Sequence, residues 1–309
     1  MNTQDDQKTL TEEYRRLEVQ LEQTRRRLEN IKGKSANPAD IPNGLNSRPY
    51  TEFMSDTKSI HALLLLSDSA LPLGSFAYSS GLESFLSHRK HGVPPRSNTP
   101  SNFQSFLHLS LSSVSYTNVP YLLAAHRSSR SLQDLDNDLD ASTPCTVARR
   151  ASIAQGRALL GVWERSFRST WNSDTLRNAS EVESAQVLRD FSQAMKVSSD
   201  VVPVTTQVNG HFAPLWGATA HVMGLDSYQA AYVFLINHAK AVLSAAVRAS
   251  VMGPYQAQGL LAGKGIQQVV AECIQKVWDL SPENAGQVVP ALDLWVGRHE
   301  LLYSRIFNS

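Results

Sequence analysis

The sequence predicts an all-α protein, in which a single helical bundle domain follows a heptad-patterned N-terminal helix and a flexible linker. Three observations favour this fold class. Apolar residues recur at helical spacing over most of the chain from residue 58 onward. Residues 227–251 carry apolar and small side chains around much of the helix, as expected for a helix buried in a bundle. The sequence contains no series of short alternating strands and no internal repeat.

The N-terminal segment has a short heptad pattern over residues 7–32. Its a positions are Tyr14, Leu21 and Leu28, and its d positions are Leu10, Leu17, Thr24 and Ile31. Such a short run predicts a helix that either pairs with another helix or remains solitary in solvent, and the residues leave both open. Residues 33–55 are rich in Gly, Ser, Asn and Pro without periodicity, which predicts a flexible linker. We therefore divide the chain into residues 1–57 and an all-α domain at 58–309.

The elements of the second part follow from apolar spacing and from helix start signals. Helices are predicted, in order, at 61–67, 75–87, 103–115, 121–130, 147–170, 182–196, 213–223, 227–251, 267–278 and 290–306. Pro120 suits the first turn of the helix that follows it, and Asp226 with its neighbours supplies an N-cap for the helix at 227–251. Residues 88–100 are predicted to be a loop because they contain three prolines.

The acidic segment 131–146 is predicted to be a second loop. Its carboxylates alternate in the manner of a calcium loop, at Asp134, Asp136, Asp138 and Asp140. The segment lacks the central Gly and the closing Glu of such a loop. A solvated loop is therefore the better interpretation.

Length, charge and cysteine content limit the function classes. The chain has 309 residues and a formal net charge of +1, so nothing global indicates binding to nucleic acid or to an anionic membrane. No stretch approaches the ~20 apolar residues of a membrane span, and the polar N-terminus does not resemble a secretory signal. The two cysteines lie far apart in the sequence, which fits a reducing compartment. We expect a soluble, cytoplasmic protein.

No known catalytic or metal-binding pattern is present. His88 and His91 have the spacing of one helical face, but the intervening Arg89 and Lys90 would repel a cation, so a solvated basic helix end is the better interpretation. His211 and His221 are interpreted as core or capping residues. The sequence lacks a Gly-x-Ser-x-Gly elbow, and residues 263–265 lack the complete phosphate-loop pattern. We predict that the protein is not an enzyme.

Two segments are candidates for contacts with other proteins. Residues 239–251 place small side chains around Arg248, which is predicted to be buried; close packing within the domain and a subunit boundary both remain open. The chain ends on an apolar and aromatic tail at 298–309, whereas most termini are polar. Such a tail needs to be covered, either by its own domain or by a partner.

The most informative stretch is residues 63–85, where Pro72, Gly74 and Gly81 shape a break between two helices. Its pattern, Leu-x-x-x-Asp-Ser-Ala-x-Pro-x-Gly followed by Ser-x-Gly-Leu-Glu, strongly resembles the opening signature of the urease accessory protein F (UreF) family. Later segments resemble the same family in the right order: Gln155-Gly156 with Leu159-Leu160, His211 with Pro214 and Gly217, Ser244 with Arg248, and the ending His299, Tyr303, Ser304, Arg305, Ile306 and Phe307. Residues 1–57 and 131–146 have no clear counterpart in the family.

The resemblance implies an all-α, non-catalytic maturation factor for urease. Members of the family resemble one another in forming dimers and in bridging the GTPase UreG and the scaffold UreD, also called UreH, to control GTP-dependent nickel delivery to urease apoprotein. It implies no cofactor, since the complex handles nickel, and we expect no tight nickel site in this chain. The partner-interface residues that we expect are Gly74, Phe76, Ser79, Gly81, Glu83, Arg248, His299, Tyr303, Ser304, Arg305 and Phe307.

Two other function classes remain open on the sequence alone. One is an enzyme of unfamiliar motif, such as a hydrolase that uses a buried histidine. The other is a general helical adaptor unrelated to nickel. Turnover of a substrate by the purified chain would favour the first, and intact urease activity after deletion of the gene would favour the second.

Overall fold

A computed structural model describes residues 50–92, 99–172, 178–197 and 208–308. The heptad run at 7–32 and residues 33–49 of the predicted linker lie outside the described residues. Contacts divide the chain into compact units at 1–53 and 54–309. The described residues form helices and turns without a β-strand, so the prediction of an all-α fold is confirmed.

The helices range in length from 5 to 29 residues and follow one another closely. In chain order they are α1 (Tyr50–Ser67), α2 (Leu82–Gly92), α3 (Thr99–Arg127), α4 (Leu132–Ser142), α5 (Thr146–Val162), α6 (Arg168–Asn172), α7 (Ala179–Ala194), α8 (Phe212–Val222), α9 (Ser227–Arg248), α10 (Pro254–Ala262), α11 (Lys264–Val277) and α12 (Pro290–Arg298). A π-helical turn, Trp163–Phe167, joins α5 to α6, and a 3-10 turn, His299–Leu301, follows α12.

Helix α8 lies at the centre of the bundle. All its residues are buried except Phe212 and His221, and it packs against α3, α5, α7 and α9. The backbone of α3 approaches it most closely at Gly217, where a Cβ atom would lie 2.1 Å from the carbonyl oxygen of Leu122. Only glycine permits this approach, so the sequence at that one position sets the spacing of the two central helices.

Helix α9 is long and apolar enough to cross a membrane by length and composition alone. In the structure it packs as a core helix, with Ala230, Leu235 and Val242 buried against the rest of the bundle. Its N-terminus carries the predicted cap: the Asp226 carboxylate accepts the Gln229 N–H, and the Gln229 side chain returns to the Asp226 N–H.

Several predicted helix boundaries are wrong. The predicted helix at 290–306 ends at Arg298, and the predicted loop at 88–100 is helical up to Gly92 and from Thr99 onward. Helix α1 begins at Tyr50, so residues 50–55 are helical and not part of a linker. The predicted helix at 75–87 is instead a 3-10 turn, Ser75–Ala77, followed by a break and by α2. Pro120 lies inside α3 and does not start a new helix. This proline removes the N–H that would bond Tyr116, and the Tyr116 carbonyl accepts the Gly286 N–H instead, at 3.2 Å.

The predicted loop at 131–146 is also wrong, because most of it forms α4. Leu132, Leu135 and Leu139 share one face of this helix and are buried, which the alternating aspartates obscured. Asp136 lies on the buried side as well, and its carboxylate is fully enclosed. The segment is therefore a structural helix with one internal acid.

Two histidines, the buried His126 and the partly buried His238, make the stability of the fold sensitive to acid. His126 contacts the Leu225 carbonyl and the Ser227 hydroxyl, and His238 contacts the Ser110 hydroxyl at 2.7 Å. Burial is the largest cause that lowers the pKa of each imidazole, from 6.5 to about 4. Both rings are therefore neutral in the folded protein at neutral pH, and protonation favours the unfolded chain.

We expect stability to fall as the pH is lowered from 6.5 to 4, because the unfolded chain binds more protons over this range. Each histidine contributes about 3 kcal/mol to this loss, which is complete near pH 4. His238→Gln keeps a polar group beside Ser110 but does not titrate. Thermal unfolding at pH 7 and pH 5 should show a smaller difference for this variant than for the wild-type chain, and equal differences would contradict the assignment.

Candidate partner-binding surface around the C-terminal tail

The break between α1 and α2 is built from local hydrogen bonds and left-handed backbone. The Asp68 carboxylate accepts the Ala70 N–H at 2.9 Å and starts the turn. Gly74 has a φ of 71° and precedes the 3-10 turn, and Gly81 has a φ of 84° at the start of α2. A Cβ on Gly81 would meet α12 at 3.1–3.2 Å, so a larger residue there is disfavoured both by backbone strain and by space.

Glu83 binds the C-terminal tail. It lies on the first turn of α2, is 8% exposed, and its N–H donates to the Ser79 hydroxyl at 3.3 Å. Its carboxylate accepts the N–H of Ile306 at 2.7 Å and that of Phe307 at 3.3 Å. It also accepts Nε2–H of the buried His299 at 2.8 Å. One buried carboxylate thus fixes two parts of the tail through three hydrogen bonds.

Phe307 and Arg248 complete the attachment of the tail. The Phe307 side chain is 5% exposed and lies under the Arg248 guanidinium, 4.4 Å from ring centroid to Cζ. The same guanidinium donates to the Phe76 carbonyl, and the Asn308 N–H donates to the Ala77 carbonyl at 2.8 Å. The apolar end of the tail is therefore covered by its own domain, one of the two alternatives that the sequence left open.

Arg248 is exposed rather than buried, which corrects the sequence prediction. It lies at the last turn of α9, where the helix reaches solvent and the side chain extends over the tail. Of the small residues before it, Ala245 and Ala246 are buried and Ser244 is exposed. Ala245 and Ala246 therefore pack within the domain, and Arg248 lies on the exposed side of the helix.

The predicted interface residues divide into two groups. One group holds the tail or shapes the loop that receives it: Gly74, Phe76, Ser79, Gly81, Glu83, Arg248, His299 and Phe307. The other group, Tyr303, Ser304 and Arg305, is exposed on the outside of the tail. Exposed apolar side chains at Leu301 and Ile306 flank this second group. The attachment of the tail therefore holds Tyr303, Ser304 and Arg305 in place. Their side chains point outward and form no hydrogen bond with the described residues.

The inner side of the same loop lines a cavity of about 440 Å³ between α1, α3, α5 and α9. Its lining is mixed, with hydroxyl and amide groups beside aromatic rings, and it includes His238 and Ser110. In the part of the chain that the structure describes, no three His, Cys, Asp or Glu side chains are grouped so that they could hold a metal ion. His88, one of the two histidines considered from the sequence, contacts the Ser84 carbonyl and Arg298.

A second polar cluster was missed in the sequence and lies at the start of α8. Asp136 accepts three consecutive backbone N–H groups: Asn209 at 2.6 Å, Gly210 at 3.0 Å and His211 at 2.6 Å. His211 is fully buried, as the core interpretation predicted, and contacts Ser152 at 3.0 Å and Asp140 at 3.1 Å. The spacing of the leucines in α4 could have indicated this cluster from the sequence, since it places Asp136 among buried positions.

Comparison with known proteins shows that this chain is similar to urease accessory proteins. The UreF family model matches residues 97–263, more than half of the chain. A Schizosaccharomyces pombe protein described as "Uncharacterized urease accessory protein UreF-like" is 35% identical over 258 residues, covering 83% of this chain and all of the relative. The urease accessory protein F of Oryza sativa subsp. japonica is 31% identical over 284 residues, covering 89% and 94%.

A bacterial relative extends the similarity. The urease accessory protein UreF of Actinobacillus pleuropneumoniae serotype 3 is 26% identical over 254 residues, which cover 80% of this chain and 98% of the relative. The relatives are thus matched over nearly their whole length. The chain belongs to the UreF family of urease accessory proteins.

Proposed function

We propose that this chain is a non-catalytic maturation factor that bridges a UreG-type GTPase and a UreD/UreH-type scaffold during GTP-dependent nickel delivery to urease apoprotein. In this proposal it acts as a homodimer in the cytoplasm. The observation that carries the proposal is the ordered tail, which holds Tyr303, Ser304 and Arg305 outward on a surface fixed by Glu83. The family membership supports the urease context.

The geometry of the tail suits partner binding. Tyrosine and arginine are enriched among residues that dominate binding energy at interfaces, and here both are exposed within three residues of each other. Because the backbone next to them is already hydrogen-bonded to Glu83 and to Ala77, binding would require little ordering of the segment. The side chains would therefore contact the scaffold while the backbone stays attached to the domain.

A bridging role without catalysis also fits the rest of the described chain. Residues 263–265 form the junction between α10 and α11 rather than a loop after a strand, which is the context that phosphate loops require. Cys145 and Cys273 are free thiols, which supports the proposed reducing location.

We expect Tyr303→Ala/Arg305→Ala to abolish co-purification with the UreD/UreH-type scaffold and to abolish urease activation in a strain lacking the native gene. Both side chains are exposed, so the melting temperature should stay within about 2 °C of wild type. Val182→Ala removes another exposed apolar side chain, on α7, and serves as the control. Deletion of residues 303–309 should give the same loss of binding. Undiminished co-purification of the double variant would refute the role of the tail.

We also propose that nickel passes through the complex without a tight site in this chain, and that residues 1–57 are dispensable for activation. The full-length chain and a chain starting at Lys58, which lacks the first eight residues of α1, should both show only weak nickel binding by calorimetric titration. Both should activate urease equally in the deletion strain. Stoichiometric, tight binding by the full-length chain would contradict the first statement, and lost activation by a folded truncated chain would contradict the second.

A further inference from the structure

A pocket of about 240 Å³ lies between α9 and α10, beside the surface described above. Lys240, Ser244 and Arg248 follow one another at intervals of four residues and therefore share one face of α9. The Cα atoms of Lys240 and Arg248 are about 12 Å apart along the helix axis. Aliphatic side chains form the floor between them: Leu243, Val247, Ala257 and Leu261.

Neither cation is neutralised by a carboxylate in the described part of the chain. Lys240 donates to the Ser67 carbonyl at 2.7 Å, and Arg248 donates to the carbonyls of Ser244 and Phe76. Among the described residues, no acidic side chain lines the pocket, and partial burial lowers the pKa of both Lys240 and Arg248. The charge of Asp68 raises the pKa of Lys240, but among the described residues Lys240 forms no ion pair within 4.0 Å.

The borders of the pocket are apolar and exposed. Tyr255, next to Pro254 at the pocket, is 92% exposed. Phe76, whose carbonyl is bonded to Arg248, is 66% exposed. An apolar floor between two cations that form no ion pair with the described carboxylates, with aromatic side chains at the border, has the composition of a protein interface rather than of a solvated surface.

We infer that this pocket binds an acidic amphipathic helix of a partner protein. One carboxylate of that helix pairs with Lys240 and a second, seven residues later, pairs with Arg248. Two turns of helix span about the same length as the rise between residues 240 and 248, and an aliphatic side chain three or four residues after the first acid fills the pocket. The inference rests on the proposed function only for the expectation that the helix belongs to an accessory protein.

The test uses a fluorescein-labelled helical peptide of about 18 residues with two glutamates seven residues apart and leucines between them, added to the full-length chain. We expect saturable binding by fluorescence anisotropy, weakened about tenfold or more by Lys240→Glu/Arg248→Glu. Lys264→Glu/Lys276→Glu makes the same change in net charge on exposed sites of α11 and should bind as wild type. A peptide with lysines in place of both glutamates should prefer the Lys240→Glu/Arg248→Glu chain over the wild-type chain.

Several outcomes would overturn the inference. One is absence of saturable peptide binding to the wild-type chain, and another is equal weakening by both double variants. Loss of self-association in Lys240→Glu/Arg248→Glu with unchanged peptide binding would assign the pocket to a contact between copies. The milder Lys240→Gln/Arg248→Gln replaces the glutamate variant if circular dichroism shows that the latter is unfolded. Urease activation by the wild-type chain in the deletion strain is measured separately. If this chain restores urease activity but does not bind the peptide, only this inference is refuted. If it binds the peptide but does not restore urease activity, only the proposed function is refuted.

Discussion

Asp136→Ala is expected to lower the free energy of unfolding by about 3–5 kcal/mol, because it leaves three N–H groups of residues 209–211, two of them buried, without an acceptor. The carboxylate lies at the start of α8, where unpaired N–H groups and the helix dipole favour a negative charge. Gly210, with a φ of 87°, lets the three N–H groups converge on it. Asp136 thus caps the central helix from a different helix, α4.

Urea denaturation followed by circular dichroism measures this effect. Asp138 lies on the same helix but is exposed, so Asp138→Ala is the matched control and should change stability by no more than about 0.5 kcal/mol. Asp136→Asn retains one carbonyl acceptor and should be intermediate. If Asp136→Ala and Asp138→Ala unfold at the same urea concentration, the carboxylate does not stabilise α8.

Gly217→Ala is expected to prevent folding or to cost more than about 4 kcal/mol. The added methyl group would lie 2.1 Å from the Leu122 carbonyl oxygen, at the point where the backbones of α3 and α8 approach each other. Relief requires the two central helices to move apart, which opens the core around both. We expect the variant to be insoluble or to show loss of near-ultraviolet circular dichroism.

Gly259→Ala provides the opposite control on another helix. Gly259 lies within α10, and a Cβ there meets nothing within 4 Å. The same substitution should therefore stabilise the protein by about 0.5–1 kcal/mol through helix propensity. A soluble Gly217→Ala variant with wild-type stability would show that α3 and α8 are not in close contact.

The helices that the sequence predicted well are those whose apolar spacing and capping residues lie within the helix itself or next to it. The spacing of apolar residues located α7, α8 and α9 to within a few residues, because an amphipathic or buried helix carries its own periodicity. The cap at Asp226 was also predictable, since both of its partners lie within three residues. The motifs at 63–85 and at the C-terminus were sufficient to identify the family by resemblance.

The errors arose where a distant residue supplies what the local sequence lacks. Pro120 is tolerated inside α3 because Gly286 donates to the carbonyl that the proline leaves unpaired. The acidic segment at 131–146 was interpreted as a loop because of its alternating aspartates. The N–H groups that make a buried carboxylate at Asp136 favourable lie more than 70 residues away. Arg248 was predicted to be buried because its neighbours are small, whereas its side chain extends to the tail.

The sequence by itself determined that the chain is helical, which residues form its core helices, and which family it belongs to. These properties depend on the order and period of side chains along one segment. The tertiary structure alone decided that Glu83 holds the tail, that Tyr303 and Arg305 face outward, and that Lys240 and Arg248 flank a pocket without a counter-charge. These properties depend on hydrogen bonds and charges that meet only when segments more than 150 residues apart in the chain are packed together.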